Sequence, residues 1–213
     1  GGNIYTRITN PTQAVAEERI AALEGGTAAL LLASGQAAET YAILNIAGAG
    51  DHIVPSASIY GGTYTLFKYT LAPIRLQVTF VSDQDDLSEW QRAVRPNTKA
   101  FFAESIANPR VNILDITGVS EVAHENGVPL IIDNTVASPY LIRPIEYGAD
   151  IVLHSATKFL GGHGTTLGGV IVDGGRFPGS EHVDRFPGLT EPDPSYNGVS
   201  YTGAVGDAIA YII

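Results

Sequence analysis

Val128-Pro129-Leu130-Ile131-Ile132-Asp133 and Ile151-Val152-Leu153-His154-Ser155-Ala156-Thr157-Lys158 are the two stretches on which the fold turns. Each is an apolar run of strand length that leads into a side chain able to do chemistry. From Asp133 to Lys158 is 25 residues, a span that fits one loop, one short helix and one returning strand. Parallel strands joined in that way deliver both side chains to the same sheet edge.

The alternation of short apolar runs with amphipathic stretches continues on both sides. Strands are expected at 28–32, 52–54, 77–81, 100–104, 130–133, 151–155 and 169–172. A helix over 15–23 follows Asn10, Pro11 and Thr12 and stops at Gly25 and Gly26. A second runs from Ser34 and Gly35 to about residue 47, a third covers 87–94 behind Asp85 and Asp86, and a fourth covers 119–125 from Thr117 to Asn126 and Gly127. Strands that are nearly all apolar and separated by helices indicate an α/β fold, a mostly parallel sheet flanked by helices. Residues 173–198, with four prolines among glycines and charges, read as an irregular connection. Arg-Phe-Pro-Gly occurs there twice, at 176–179 and 185–188, too few copies for a repeat architecture. The apolar segment 204–213 reads as a helix cut by the end of the chain.

Composition removes several classes of function. The 213 residues carry 22 acidic and 12 basic side chains, a net charge of −10, which excludes nucleic acid as an expected partner. With 45% hydrophobic and 16% charged residues, the chain can build a substantial core. It has no apolar run of the roughly 18 residues that span a bilayer, and no basic stretch with an apolar h-region at its start. A soluble, cytoplasmic protein is therefore expected. The absence of cysteine excludes disulfides, a thiolate nucleophile and Cys-ligated metal, and the five histidines show no metal-binding spacing, so no metal is assigned. The 24 glycines cluster in doublets, as tight turns near a ligand require. No methionine is present, which suggests a fragment or a processed product.

Four segments carry candidate chemistry. Lys158, at a strand terminus before the Gly-rich turn 161–164, offers an amine that can attack an aldehyde if burial or a cationic neighbour lowers its pKa. Ser155 and Thr157 offer hydroxyls for a phosphate; the alternative for Lys158 is a solvated lysine after a core strand. Asp133 could keep a pyridine nitrogen protonated, or serve as a turn cap in Asp133-Asn134-Thr135. Ala33-Ser34-Gly35-Gln36 joins a strand to a helix whose free N–H groups can cradle a phosphate dianion, without matching either nucleotide-binding glycine motif. Tyr60, beside Gly61 and Gly62, offers a face that can stack on a heterocycle or simply fill a core.

These segments, with Tyr5-Thr6-Arg7 and Glu104-Ser105-Ile106-Ala107-Asn108-Pro109, stand in the order of six motifs of the pyridoxal-phosphate-dependent Cys/Met-metabolism enzymes. The whole chain resembles the large domain of that family, which implies the fold-type I, aspartate-aminotransferase-like architecture. Residues 1–14 would be an N-terminal arm. The resemblance implies that pyridoxal 5'-phosphate is bound, with Lys158 joined to its aldehyde and later shuttling protons, Asp133 on the ring nitrogen and Tyr60 stacked on the ring. Gly35 and Gln36 through N–H groups, with Ser34, Ser155 and Thr157 near them, would hold the phosphate, and Asn108 would lie near the phenolic oxygen. Tyr5 and Arg7 would reach the phosphate of an adjacent subunit, in a homo-oligomer that is a dimer of dimers with shared sites.

Within the family, 159–169 and 190–196 are more similar to O-acetylhomoserine sulfhydrylases than to the lyases. That implies exchange of acetate on O-acetylhomoserine for sulfide or a thiol, giving homocysteine or methionine. Methionine gamma-lyase, cystathionine gamma-synthase and a non-catalytic remnant of the fold are the alternatives. The family continues into a smaller C-terminal substrate domain that is absent from these 213 residues. Alone, they are expected to bind the cofactor poorly and to lack normal turnover.

Overall fold

Local chemistry sets the element boundaries. The computed structural model describes residues 2–207 and 211. Helix α1, Pro11–Glu24, opens where Asn10 Oδ1 accepts the N–H groups of Thr12 and Gln13, and it closes at Gly25 in the left-handed region, φ 77°. Proline at the first helical position fixes that start. The helix therefore begins before residue 15, and the expected arm over 1–14 ends at Asn10. Strand β1, Ala28–Leu32, leads into α2, Gly35–Leu44, which is capped by Ser34 and ends short of residue 47.

Next come β2, His52–Pro55, and α3, Gly61–Thr65, which continues as a π-helical turn over Leu66–Thr70. Strand β3 is Gln77–Val78 only, an edge strand shorter than the expected 77–81, with one isolated bridge from Ser56 to Val81. Then follow α4, Leu87–Ala93; β4, Thr98–Glu104; and α5, Ile116–Glu125, capped by Asp115 rather than entered at Thr117. The chain goes on through β5, Leu130–Asp133, the single turn α6, Ser138–Leu141, β6, Ile151–Ser155, and β7, Gly169–Asp173. The turns α7, Pro187–Thr190, and α8, Tyr201–Val205, complete it. Half of the cut helix expected over 204–213 lies outside the described residues, and α8 stops at Val205, before Gly206.

The seven strands form one sheet in the order β1-β7-β6-β5-β4-β2-β3. Every pair is parallel except the two made by β7. The reason lies in residues 156–168, which turn the chain back without a helix; only a crossover on one face of the sheet would have kept the direction. Helices cover both faces, so consecutive strand residues enter two different cores. Phe67, Phe102, Ile131 and Leu153 pack with α2 and the α3 turn, while Trp90, Phe101, Ile132 and Val152 pack with α4 and α5. Burying each such side chain contributes about 1.5–3 kcal/mol.

The 173–198 connection is irregular yet docked. Phe177 and Phe186 of its two Arg-Phe-Pro-Gly copies meet edge to face at 5.5 Å. Arg185 donates to the Thr98 carbonyl and receives a bond from Lys99 Nζ, clamping the segment to the amino end of β4. Among the described residues no helix is long and apolar enough to cross a membrane.

Candidate active site

The last residues of β4 and β5 stand side by side, and β6 runs two residues further at the same edge. Glu104 pairs with Asp133, and Asp133 with Leu153, so in parallel register Glu104 and Asp133 face the same side, toward α2 and α3. Over that edge lies a cavity of about 730 Å³, within the usual range for small-molecule sites. Ser34, Gly35, Gln36, Tyr60, Asn108, Asp133, Ser155, Thr157 and Lys158 all line it. Residues scattered over most of the chain are thereby brought to one place.

The α2 end of the cavity is a cradle. Ser34 Oγ accepts the Ala37 N–H at 3.1 Å, which leaves the N–H groups of Gly35 and Gln36 without an acceptor among the described residues. Glycine at 35 is dictated by packing, since a Cβ there would come 2.7 Å from Ser155 Cβ. That close approach sets the helix N-terminus against the hydroxyl of Ser155. Thr157 Oγ1 binds Gly168, and Thr135 Oγ1 accepts the Ser155 N–H at 2.8 Å.

Tyr60 forms the opposite wall, half exposed. Its N–H donates to Glu104 Oε1 at 2.6 Å, and its ring lies over Gly62, where a Cβ would come 2.4 Å from Tyr60 Cε1. Asn108 is tied to the same carboxylate, its N–H donating to Oε2 at 2.8 Å. Asp133 Oδ1 accepts the Thr135 N–H at 2.8 Å, so the residue is a turn cap and a cavity acid at once.

Lys158 is exposed to the cavity rather than buried. It is the sole cavity lysine: of the chain's three, Lys68 lies against Tyr64 and Lys99 is held by Asp51 and Arg185 at the far end of the sheet. Tyr5 and Arg7 do not line the cavity. The Arg7 guanidinium sits 5.2 Å from the Tyr5 ring centre, and Arg7 borders a separate hollow beside α1.

Sequence reasoning missed the acids around Asp133. Glu39, on α2, accepts the Thr63 hydroxyl at 2.8 Å and the Gln36 amide at 2.7 Å, which ties the cradle to α3. Burial, then the charge of Asp133, pushes Glu39 up to about 8 and Glu104 up to about 7. Asp133 is raised by burial too, opposed by hydrogen bonds from Thr135 and by the nearby His154. Glu39 stands one turn after Gly35, on the same helix face, and that spacing is the signal that could have revealed it. Among the described residues no group of three or more His, Asp or Glu side chains is placed to hold a metal ion.

Several known proteins are similar to this chain. The family model described as Cys/Met metabolism PLP-dependent enzyme matches residues 1–208. The O-acetyl-L-homoserine sulfhydrylase of Leptospira meyeri is 55% identical over 205 residues, 96% of this chain and 46% of that protein. The enzyme of the same name from Corynebacterium glutamicum is 55% identical over 203 residues, 94% of this chain and 46% of its own. Among solved structures, an O-acetylhomoserine (thiol)-lyase from Campylobacter jejuni, bearing a pyridoxyl-lysine monophosphate, superposes with TM-score 0.92 at 38% identity. That likeness covers all of this chain and 53% of that one. The chain spans about half the length of the curated relatives it matches. An amine, an acid and a phosphate-sized cradle on one cavity suit a pyridoxal phosphate ring, and with the match along almost its whole length the chain belongs to the Cys/Met metabolism PLP-dependent enzyme family.

Proposed function

We propose that the protein containing this chain replaces the acetate of O-acetylhomoserine with sulfide or a thiol, giving homocysteine or methionine. The observation that carries the reading is the convergence of Lys158, Asp133, Tyr60 and the α2 N-terminus on one cavity. The names borne by the relatives support the choice of substrate. Pyridoxal phosphate, when bound, supplies an electron sink for the substrate carbon that loses its proton.

The chain's own residues do the rest. The N–H groups of Gly35 and Gln36, with the hydroxyls of Ser155 and Thr157, bind the phosphate at the positive end of α2. Asp133 would hold the ring nitrogen, Tyr60 would cover the ring face and Asn108 would lie near the phenolic oxygen. Lys158 would hold the aldehyde end of the cofactor, and its amine would serve as the base that moves the substrate proton. Ile106, Val136 and Phe159 give the cavity wall an apolar part.

Residues 1–213 serve as the large cofactor-binding domain, and a smaller C-terminal domain completes the substrate site. Tyr5 and Arg7, which lie outside their own chain's cavity, act on the phosphate of a neighbouring subunit in a cytoplasmic dimer of dimers. The test is product analysis of the whole protein. O-acetylhomoserine with sulfide should yield homocysteine and acetate in equal amounts; breakdown of methionine alone, without that exchange, would favour a lyase instead.

A further inference from the structure

On the face of the sheet away from the cavity, the same three strand ends carry a second set of polar side chains. Ser105 follows Glu104, Asn134 follows Asp133, and His154 precedes Ser155, so each points opposite to its cavity-facing neighbour. They join through one carboxylate at the end of α1. Glu24 Oε1 accepts from His154 Nε2 at 2.5 Å and from Asn134 Nδ2 at 2.9 Å, and Asn134 Oδ1 accepts the Ser105 hydroxyl at 2.7 Å. Asn134 also donates to the Ile142 carbonyl at 3.0 Å. All four residues are buried. Glu24 Oε2 and His154 Nδ1 have no hydrogen-bond partner among the described residues.

A buried carboxylate and imidazole with an unpartnered atom apiece cost the fold stability that apolar side chains would not. Such arrangements persist where geometry at a functional site depends on them. We infer that the Glu24–His154–Asn134–Ser105 network is a positioning device, fixing from behind the strand ends that present Glu104, Asp133 and Ser155 to the cofactor. The inference rests on the reading given under Proposed function. Its elements are positioning residues, since none of the four lines the cavity.

The experiment is equilibrium titration of the whole, cofactor-free protein with pyridoxal phosphate, following affinity and the position of the visible absorption band. Glu24→Ala should weaken binding about tenfold and move the band, as loss of the groups that orient first-contact ligands commonly does. Glu24→Gln keeps an oxygen for Asn134 and should restore affinity to within about threefold. Wild-type affinity and an unmoved band in folded Glu24→Ala, or a Glu24→Gln no better than Glu24→Ala, would overturn the inference. If Glu24→Ala does not fold, Ser105→Ala decides. It leaves the Glu24–His154 pair intact and should still weaken binding measurably with little change in melting temperature, and unchanged binding would overturn the inference. A wild-type protein that takes up no pyridoxal phosphate would instead defeat the functional reading itself, so the two failures are distinct.

Discussion

At the carboxyl ends of β4, β5 and β6, consecutive residues meet opposite chemistry. Toward the cavity, Glu104 and Asp133 crowd with Glu39 around about 730 Å³ of open space, and their hydrogen-bond donors are amides and hydroxyls rather than cations. Toward the other face, Glu24 is sealed from solvent and paired with an imidazole. The difference is instructive. One face holds its acids in a state that a cationic guest would relieve, and the other ties one oxygen of its acid to an imidazole and an amide and leaves Glu24 Oε2 without a partner among the described residues. Substitutions on the cavity face should therefore change binding with little loss of stability, whereas loss of Glu24 on the sealed face should cost both.

The largest effect is expected for Asp133→Asn, which should lower kcat/KM by about 100-fold or more, as removal of a group aimed at developing charge does. The melting temperature of the cofactor-free protein should hold or rise, because a desolvated acid has been removed. A variant that unfolds while keeping its activity would erase the contrast between the faces. On the sealed face, Glu24→Ala should destabilise by about 3 kcal/mol, since His154 loses its partner inside the protein. Urea unfolding measures this, and a shift below about 0.5 kcal/mol would place Glu24 among surface residues in its energetics.

The pH dependence sharpens the same contrast. Glu39 and Glu104 bind protons more tightly folded than unfolded, burial and the charge of Asp133 having pushed them from the ordinary carboxylate range up to about 8 and about 7. Their contribution to stability is fully present at pH below the unfolded value and is lost as pH rises through the folded values. In the cofactor-free protein, Glu39→Gln should thus melt close to wild type near pH 5 and progressively above it toward pH 9. Parallel melting curves for the two proteins across that range would contradict the assignment. The smallest effect is expected at Gly62. Gly62→Ala pushes on the Tyr60 ring, which can swing aside because it is half exposed. A severalfold loss of cofactor affinity is expected, against a larger one for Gly35→Ala, whose Cβ meets the side chain of a packed strand.

Much of this was legible in the sequence because it depends on local pattern. The apolar runs at 28–32, 130–133 and 151–155 are strands to the residue, and Ser34 and Asp86 cap their helices. Asp133, Lys158 and the 33–36 turn reach one cavity because parallel strands all end at the same edge. The exceptions have physical causes. Helix α1 starts at Pro11 because a cap and a proline outrank apolar spacing, and β3 is short because an edge strand has one neighbour. Glu39 and Glu24 escaped the sequence reading for a different reason, although the spacing of Glu39 from Gly35 places it on the cradle's helix face. A glutamate in a helix reads as solvated, and only the packing of α2 on α3, or of α1 on the strand ends, reveals that each is buried.

The decisive measurement is borohydride reduction of the whole protein loaded with pyridoxal phosphate, followed by peptide mass mapping. Of the chain's three lysines, Lys158 alone should carry the pyridoxyl group, and Lys158→Ala should carry none on these residues. A label on Lys68 or Lys99, or none on Lys158 in a protein that retains the cofactor, would show that the ring does not sit between Lys158 and Asp133.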